Sequence, residues 1–122
     1  MQYKFTSNKA NTFTKHGIDI TVYNENVPSA NVVYVEVDGG HMQEFIDVKS
    51  HFMYYIIEGS GVFILNDEKI DAKAKDLIVV PPNTKIHYFG KMKMTLTVTP
   101  AWKEENEVHV RFVQESENPL AK

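Results

Sequence analysis

The sequence predicts a single all-β domain, and three observations support this prediction. Turn-forming Gly, Pro and Asn-Asp signals punctuate the chain roughly every 8 to 15 residues. The segments between them are rich in Val, Ile, Tyr, Phe and Thr, which favour strands. No window of about 12 residues has the apolar spacing of an amphipathic helix. We therefore expect about 10 or 11 strands with few or no helices.

The strands are predicted between successive turn signals. In chain order they cover residues 12–14, 18–23, 32–37, 42–48, 52–57, 61–65, 69–74, 76–80, 84–89, 94–99 and 108–113. Asn66 and Asp67 separate two of these strands, and both residue types tolerate a positive φ. A two-residue hairpin turn is therefore predicted at this point.

Composition excludes several classes of function. The 122 residues carry a net charge of −3, and the 13 basic residues are scattered, so nucleic acid is not an expected partner. The longest apolar run, residues 77–82, is far shorter than the roughly 20 residues of a membrane span. The absence of cysteine excludes disulfides, thiolate zinc sites and cysteine nucleophiles. The first residues lack the features of a secretory signal, so a cytoplasmic location and no membrane association are expected.

Two segments have a more specific pattern than strand alternation. The first is YYIIEGSGVF, residues 54–63, in which Gly59 and Gly61 are predicted to allow a tight turn at the rim of a barrel. The second is KDLIVVPPNTKIH, residues 75–87, where Asn83 follows a Pro-Pro pair. Asparagine is among the commonest non-glycine residues at positive φ, so this position is predicted to form a turn.

These two segments resemble the paired motifs of the cupin family, with Lys75 and Asn83 standing where the family has glycines. The resemblance covers about residues 32–100. It implies a cupin double-stranded β-helix, a jelly-roll barrel or sandwich, as one domain over residues 1–122. Residues 1–31 then supply N-terminal strands, and residues 101–122 supply a C-terminal strand and tail.

The resemblance also locates the positions of metal ligands. Metal-binding cupins hold the ion with three histidines and a glutamate. The corresponding positions in this chain are Phe45, Asp47, Phe52 and Ile86. Only Asp47 could bind a metal, so no metal cofactor is expected. His87 is one residue late, and a one-residue offset turns a strand side chain to the opposite face.

An irregular metal site is the alternative. His41, His51 and His87 could converge on one divalent transition metal, which would make the protein a metal-dependent enzyme such as a sugar isomerase or dioxygenase. His41 and His51 lie beside turn signals, where exposed histidines are ordinary. The sequence therefore favours a barrel that binds its ligand without metal over this alternative.

The same alignment predicts a ligand pocket. Phe45, Asp47, Phe52, Tyr54 and Tyr88 share the inward parity and are predicted to bind a small organic ligand, such as a sugar or metabolite. Asp47 is the candidate catalytic residue, because a carboxyl group buried among aromatic rings can act as a general acid or base. Metal-independent isomerase or epimerase chemistry is one possible use of the pocket. A non-catalytic barrel that acts through self-association is a further alternative.

A homodimer is also predicted. Strands that are apolar on both faces leave surface that one small barrel cannot cover. Val108, Val110 and Phe112 alternate with polar neighbours in the last predicted strand, as in a half-buried strand. Residues 108–113 and Trp102 are the candidate contact between the two copies.

Overall fold

The computed structural model describes residues 2–121 as an antiparallel β-barrel. Its elements are three short 3-10 helices (Ser7–Lys9, Glu104–Asn106 and Glu115–Glu117) and eight strands: β1 (Asn11–Lys15), β2 (Ile18–Val22), β3 (Asn31–Asp47), β4 (His51–Leu65), β5 (Glu68–Lys73), β6 (Leu77–Val80), β7 (Ile86–Thr99) and β8 (Glu107–Phe112). Every strand pair is antiparallel. The all-β jelly-roll prediction is confirmed.

Three long strands, β3, β4 and β7, run through both halves of the barrel. One half has the order β1-β2-β3-β7-β4-β6, and the other has the order β8-β3-β7-β4-β5. The same three strands therefore form the centre of both sheets. Their inward side chains make one contiguous apolar core between the sheets.

The long strands correct the predicted boundaries. The predicted strand pairs 32–37 and 42–48, 52–57 and 61–65, and 84–89 and 94–99 are merged into β3, β4 and β7. The glycine-rich segment of β4, which was predicted to turn, continues as strand and only shifts its register between Ile56 and Glu58. From the sequence, Gly59 and Gly61 indicate a turn. In the structure they lie within β4 and allow this continuous strand to bend.

The bend depends on a line of glycines across three strands. Gly90 of β7 lies in register with Gly39 of β3 and Gly61 of β4. Gly90 has a φ of +136°, and a Cβ added there would lie 2.5 Å from the Gly61 Cα and from the Ser60 carbonyl oxygen. No side chain fits between backbones at this distance, so the bend requires glycine.

The predicted turns outside this line are confirmed. Asn66 and Asp67 have φ values of 49° and 69° and join β4 to β5 as a two-residue hairpin. Asn83 has a φ of 66°. Lys75, which replaces a family glycine, keeps the left-handed conformation with a φ of 77°, and its N–H donates to the Ile56 carbonyl at 2.7 Å.

The last strand differs from its predicted burial. Val108, Val110 and Phe112 are exposed, Phe112 by 63%, although alternation predicted that they would face the core. The strand pairs only with β3 at the edge of the sheet, so neither of its faces is enclosed. Val113, just beyond it, is the buried residue and packs beside Phe89. The homodimer through this strand and Trp102 stays a prediction.

Within residues 2–121 no helix is long and apolar enough to cross a membrane.

Substituting single glycines in this line tests how the barrel closes. Gly90→Ala should destabilise the protein by about 2–5 kcal/mol, because it adds a steric overlap to an unfavourable φ. Gly39→Ala is the matched control: its φ is +121°, but an added Cβ would have nothing within 4 Å. It should cost only about 1–2 kcal/mol. Urea unfolding measures both, and equal losses would show that the close approach is unimportant.

Candidate functional site

A cavity of about 390 Å³ opens into the barrel between the two sheets. Its walls are mainly apolar and its mouth is polar. The wall residues are Phe13, Ile18, Ile20, Val22, Val33, Val35, Phe45, Phe52, Leu96 and Val98, and those at the mouth include Asn11, Lys15, Glu25, Asn26, Asn31, Trp102 and Glu107. A cavity of this size, with few polar groups, is typical of a site for a small organic molecule.

Four of the five predicted lining residues border this cavity. Phe45, Phe52, Tyr54 and Tyr88 all line it, and all four are buried. The rings form a connected series, with Phe45 and Phe52 centroids 5.6 Å apart and Tyr54 and Tyr88 centroids 5.6 Å apart. Their inward parity is therefore as the alignment predicted.

Asp47, the predicted catalytic residue, is outside the cavity. It is 2% exposed, and its Oδ1 accepts hydrogen bonds from the backbone N–H groups of Lys49 at 2.9 Å and Ser50 at 2.7 Å. Asp47 is the last residue of β3, so its side chain is used by the turn that follows. This placement corrects the prediction that Asp47 faces a ligand.

His41 lines the cavity, although the sequence indicated it only as an alternative metal ligand. It is 6% exposed and lines the cavity, with its ring 5.4 Å from Tyr88 and 5.2 Å from Phe45. Sequence reasoning placed it beside a turn, because Gly39 and Gly40 precede it. Those glycines continue β3 and leave His41 inside the barrel. The inward parity that His41 shares with Phe45 was the signal that could have located it.

One hydrogen bond defines the tautomer of His41. Its Nδ1 lies 2.7 Å from the carbonyl oxygen of Gln43, and a carbonyl can only accept, so Nδ1 carries the proton. Nε2 is then the basic nitrogen. Among residues 2–121 the only fully enclosed side-chain polar atom without a partner is Asp47 Oδ2. The unpartnered Nε2 of His41 is therefore reachable from the cavity.

Burial controls the protonation of the cavity's polar groups. Desolvation lowers the pKa of His41 to about 4 and outweighs the hydrogen bond to the Gln43 carbonyl, which raises it; the Lys15 charge acts in the same direction as desolvation. Desolvation also raises the pKa of both Tyr54 and Tyr88 well above the usual value for tyrosine. The site therefore presents a neutral imidazole and two protonated phenols at neutral pH.

The mouth is organised around one carboxylate. Glu107 accepts a hydrogen bond from Trp102 Nε1 at 3.1 Å and pairs with Lys15 Nζ at 3.2 Å. The Lys15 ammonium also lies 5.6 Å from the centre of the Trp102 ring. Trp102 thus covers an end of the barrel, and its backbone N–H is held by Asn31 Oδ1 at 2.8 Å.

The three histidines of the alternative metal site are not brought together. His51 is exposed, whereas His87 is buried outside the cavity, where its Nδ1 lies 2.9 Å from Glu44 Oε2. Arg111 Nε lies 3.3 Å from the other oxygen of Glu44. Burial lowers the pKa of His87, with Glu44 opposing this shift. His41 alone of the three lines the cavity.

The residues present do not fit a cupin metal ion. The family's ligand positions Phe45, Phe52 and Ile86 are buried hydrocarbon side chains in the core. Across residues 2–121 no group of three His, Cys, Asp or Glu side chains is placed to hold a metal. A structural or catalytic metal needs at least three such ligands around one point.

The fold is that of a cupin, with an internal cavity of a size typical of small-molecule sites. The chain belongs to the cupin superfamily. No protein-family model matches the sequence. Two distant solved structures show the fold alone: KdgF from Halomonas sp. (16% identity, TM-score 0.71, covering 86% of this chain and 98% of that one) and the cupin domain of Schizosaccharomyces pombe Cnp3 (15% identity, TM-score 0.66, covering 80% and 73%).

Much greater similarity connects the chain to Pac13, described as a unique nucleoside dehydratase. The two are 56% identical, with a TM-score of 0.94, over 98% of this chain and 99% of Pac13. Three single-substitution variants of Streptomyces Pac13, structures with uridine, are 55% identical to this chain at the same TM-score. They are a His→Gln and two Tyr→Phe variants.

A curated relative is similar over a shorter length. An uncharacterized protein of Methanocaldococcus jannaschii is 39% identical over 49 residues. This match spans 38% of this chain and 39% of the archaeal protein.

Burial of His41 in its neutral form predicts a pH-dependent stability. In the unfolded chain the group titrates near 6.5, and in the folded protein near 4, so between these values the unfolded state binds the extra proton. The free energy of unfolding should therefore fall by up to about 3 kcal/mol as pH decreases from 6.5 to 4.

Two variants isolate the contribution of His41. Urea unfolding at pH 7 and pH 4.5 measures how much the free energy of unfolding decreases with pH. This decrease should be smaller in His41→Gln than in the wild type by most of the contribution assigned to His41. His51→Gln changes an exposed histidine outside the cavity and should keep the wild-type slope. An unchanged slope in His41→Gln would mean that His41 is not buried in its neutral form.

Proposed function

We propose that this protein is a nucleoside dehydratase: it binds a nucleoside in the barrel and removes water from it. The observation that carries the proposal is the convergence of His41, Tyr54 and Tyr88 in one cavity. These residues are spaced 13 and 34 apart. The substituted His, Tyr and Tyr of the Pac13 variants with uridine follow the same order at the same spacing.

The cavity suits the two parts of a nucleoside. Aromatic walls such as Phe45 and Phe52 offer flat apolar surface to a base. The protonated hydroxyls of Tyr54 and Tyr88, which make no hydrogen bond within residues 2–121, can donate to ligand oxygens. Lys15 at the mouth adds a charged donor. We propose that these groups orient the base and sugar.

His41 is the proposed general base. Its Nε2 would take a proton from a sugar carbon, the electron pair of that C–H bond would form a C=C bond, and the hydroxyl on the neighbouring carbon would leave. The imidazolium gives this proton to the leaving hydroxyl, which departs as water, so His41 returns to its neutral form and atoms and charge balance. A neutral imidazole is a weak base, so the carbon must be acidified by an electron-withdrawing neighbour. Because Asp47 lies outside the cavity, the proton transfer expected of it from the sequence is assigned to His41.

The reaction is proposed to proceed without a bound metal. The support is the donor set: three of the family's four ligand positions are hydrocarbon, and His41, His51 and His87 lie apart. Stabilisation of charge on the substrate then depends on hydrogen-bond donors, chiefly the two buried phenols.

Uridine binding tests the nucleoside site. Tyr54→Phe and Tyr88→Phe should each weaken uridine binding about fivefold to tenfold, the value of one hydrogen bond. Tyr55→Phe is the matched control, because this neighbouring tyrosine is exposed on the outside of the barrel. Isothermal titration calorimetry measures all three variants. An absence of uridine binding by the wild type, or an equal loss in Tyr55→Phe, would refute the site.

The variant His41→Gln distinguishes a role in catalysis from a role in binding. His41→Gln should bind uridine with little change but lower the rate of water loss at least about a hundredfold, since it removes the base. Mass spectrometry of nucleosides incubated with the protein detects a product lighter by one water. Full activity in His41→Gln would assign the base to another group.

Elemental analysis tests the metal-free proposal. The purified protein should contain well under one equivalent of iron, manganese, nickel or zinc per chain. The thermal midpoints of the wild type, His51→Ala and His87→Ala should each be the same with chelator, with added metal and with neither. One equivalent that co-purifies and is lost in either variant would establish the irregular metal site instead.

A further inference from the structure

The carbonyl that holds His41 is available because β3 is irregular next to it. Between His41, which pairs with Tyr88, and Phe45, which pairs with Ile86, the register of β3 against β7 shifts. Three residues of β3 therefore lie opposite one residue of β7, and the regular ladder is interrupted. The main-chain carbonyl of Gln43 accepts a hydrogen bond from His41 Nδ1–H within this bulge.

The side chain of Gln43 is itself held in place. Gln43 is only 6% exposed, and its Nε2 donates to Nδ1 of His109 at 2.9 Å. His109 lies on β8, whose pairing with β3 shifts register between Glu44 and Phe45. This bond therefore joins the bulge to β8 at the point where the ladder between these strands is also irregular.

A series of ring contacts also connects His109 to His41. The His109 ring lies 4.6 Å from Phe112, Phe112 lies 6.1 Å from His16, and His16 lies 5.7 Å from His41. His16 also accepts, through its backbone carbonyl, a hydrogen bond from Met42 N at 2.8 Å. The bulge is thus held from both sides, by β8 and by the β1–β2 hairpin.

We propose that His109 is a positioning residue which, through Gln43, holds His41 in the tautomer with a free Nε2. This inference rests on the proposed function of His41 as the base. Without an acceptor at His109, the buried amide of Gln43 would lose its partner and reorient. The side chain would then no longer hold this part of the bulge, so the main-chain carbonyl of Gln43 would move away from Nδ1. The proton of His41 would be distributed between both nitrogens. A proton on Nε2 blocks the base.

Two substitutions at one position separate the hydrogen bond from the ring contact. His109→Phe keeps an aromatic ring beside Phe112 but has no acceptor. His109→Asn keeps an acceptor oxygen near the position of Nδ1 but has no ring. His51→Ala, at an exposed position outside the cavity, is the control.

The primary measurement is the tautomer of His41 in the protein without any nucleoside. Imidazole ¹⁵N chemical shifts distinguish protonated from unprotonated nitrogens, and the signals of His41 are those absent from His41→Gln. In the wild type and in His109→Asn we expect protonated Nδ1 and free Nε2. In His109→Phe we expect both nitrogens to give intermediate shifts, and kcat to fall about tenfold with KM within about twofold.

The result that overturns the proposal is an unchanged His41 tautomer in His109→Phe, or the same loss in His109→Phe and His109→Asn. If His109→Phe does not fold, Gln43→Met removes the donor at similar size and should produce the same mixture of tautomers; an unchanged tautomer there also overturns the proposal. The nitrogen shifts need no ligand, so they are independent of uridine binding and water loss. A failure of the positioning role is therefore distinguishable from a failure of the proposed function.

Discussion

The close approach of the β4 and β7 backbones at Gly61 and Gly90 is the constraint on which the rest of the structure depends. Because β3, β4 and β7 bend here without breaking, each contributes to both sheets, and the two sheets enclose one apolar interior. His41 follows this bend in β3 almost directly, and Tyr88 precedes it in β7. The same contact that closes the barrel therefore places two of the cavity's polar groups opposite each other.

Enclosure also determines the chemistry of these groups. An apolar wall disfavours charge, which is why the pKa of His41 falls and those of Tyr54 and Tyr88 rise. Charge is concentrated instead at the mouth, where Lys15 and Glu107 pair beside solvent. The site combines a neutral proton acceptor with neutral hydrogen-bond donors, which is the arrangement that the proposed metal-free proton transfer requires.

The bulge in β3 positions polar groups on both the inner and the outer side of the barrel. The bulge between His41 and Phe45 frees the Gln43 carbonyl for His41 on the inner side. It also directs Glu44 to the other side, where this buried carboxylate lies between His87 and Arg111. Buried charges are tolerated when they are paired in this way. The pairing therefore ties the first residues of β7 and the strand β8 to the bulge.

The sequence by itself determined the features that depend on neighbours along the chain. The positive φ of Asn66, Asp67 and Asn83 follows from the preferences of those residues, and the inward direction of Phe45 and Tyr54 follows from the two-residue period of a strand. The resemblance to the cupin family likewise implied that this chain has hydrocarbon residues, Phe45, Phe52 and Ile86, at three of the four metal-ligand positions.

Tertiary structure decided which polar group faces the cavity. The alternation of strand residues predicted that Asp47 faces the cavity. In the folded chain its carboxylate instead accepts hydrogen bonds from the backbone of the turn after β3. His41 looked like a residue beside a turn, because whether two glycines end a strand or bend it depends on the strand packed against them. That strand is β7, far away in sequence, where Gly90 pairs with Gly39 and the Tyr88 carbonyl and Phe89 ring lie against Gly40. The burial that makes His41 neutral and leaves its Nε2 free therefore exists only once β3, β4 and β7 have met.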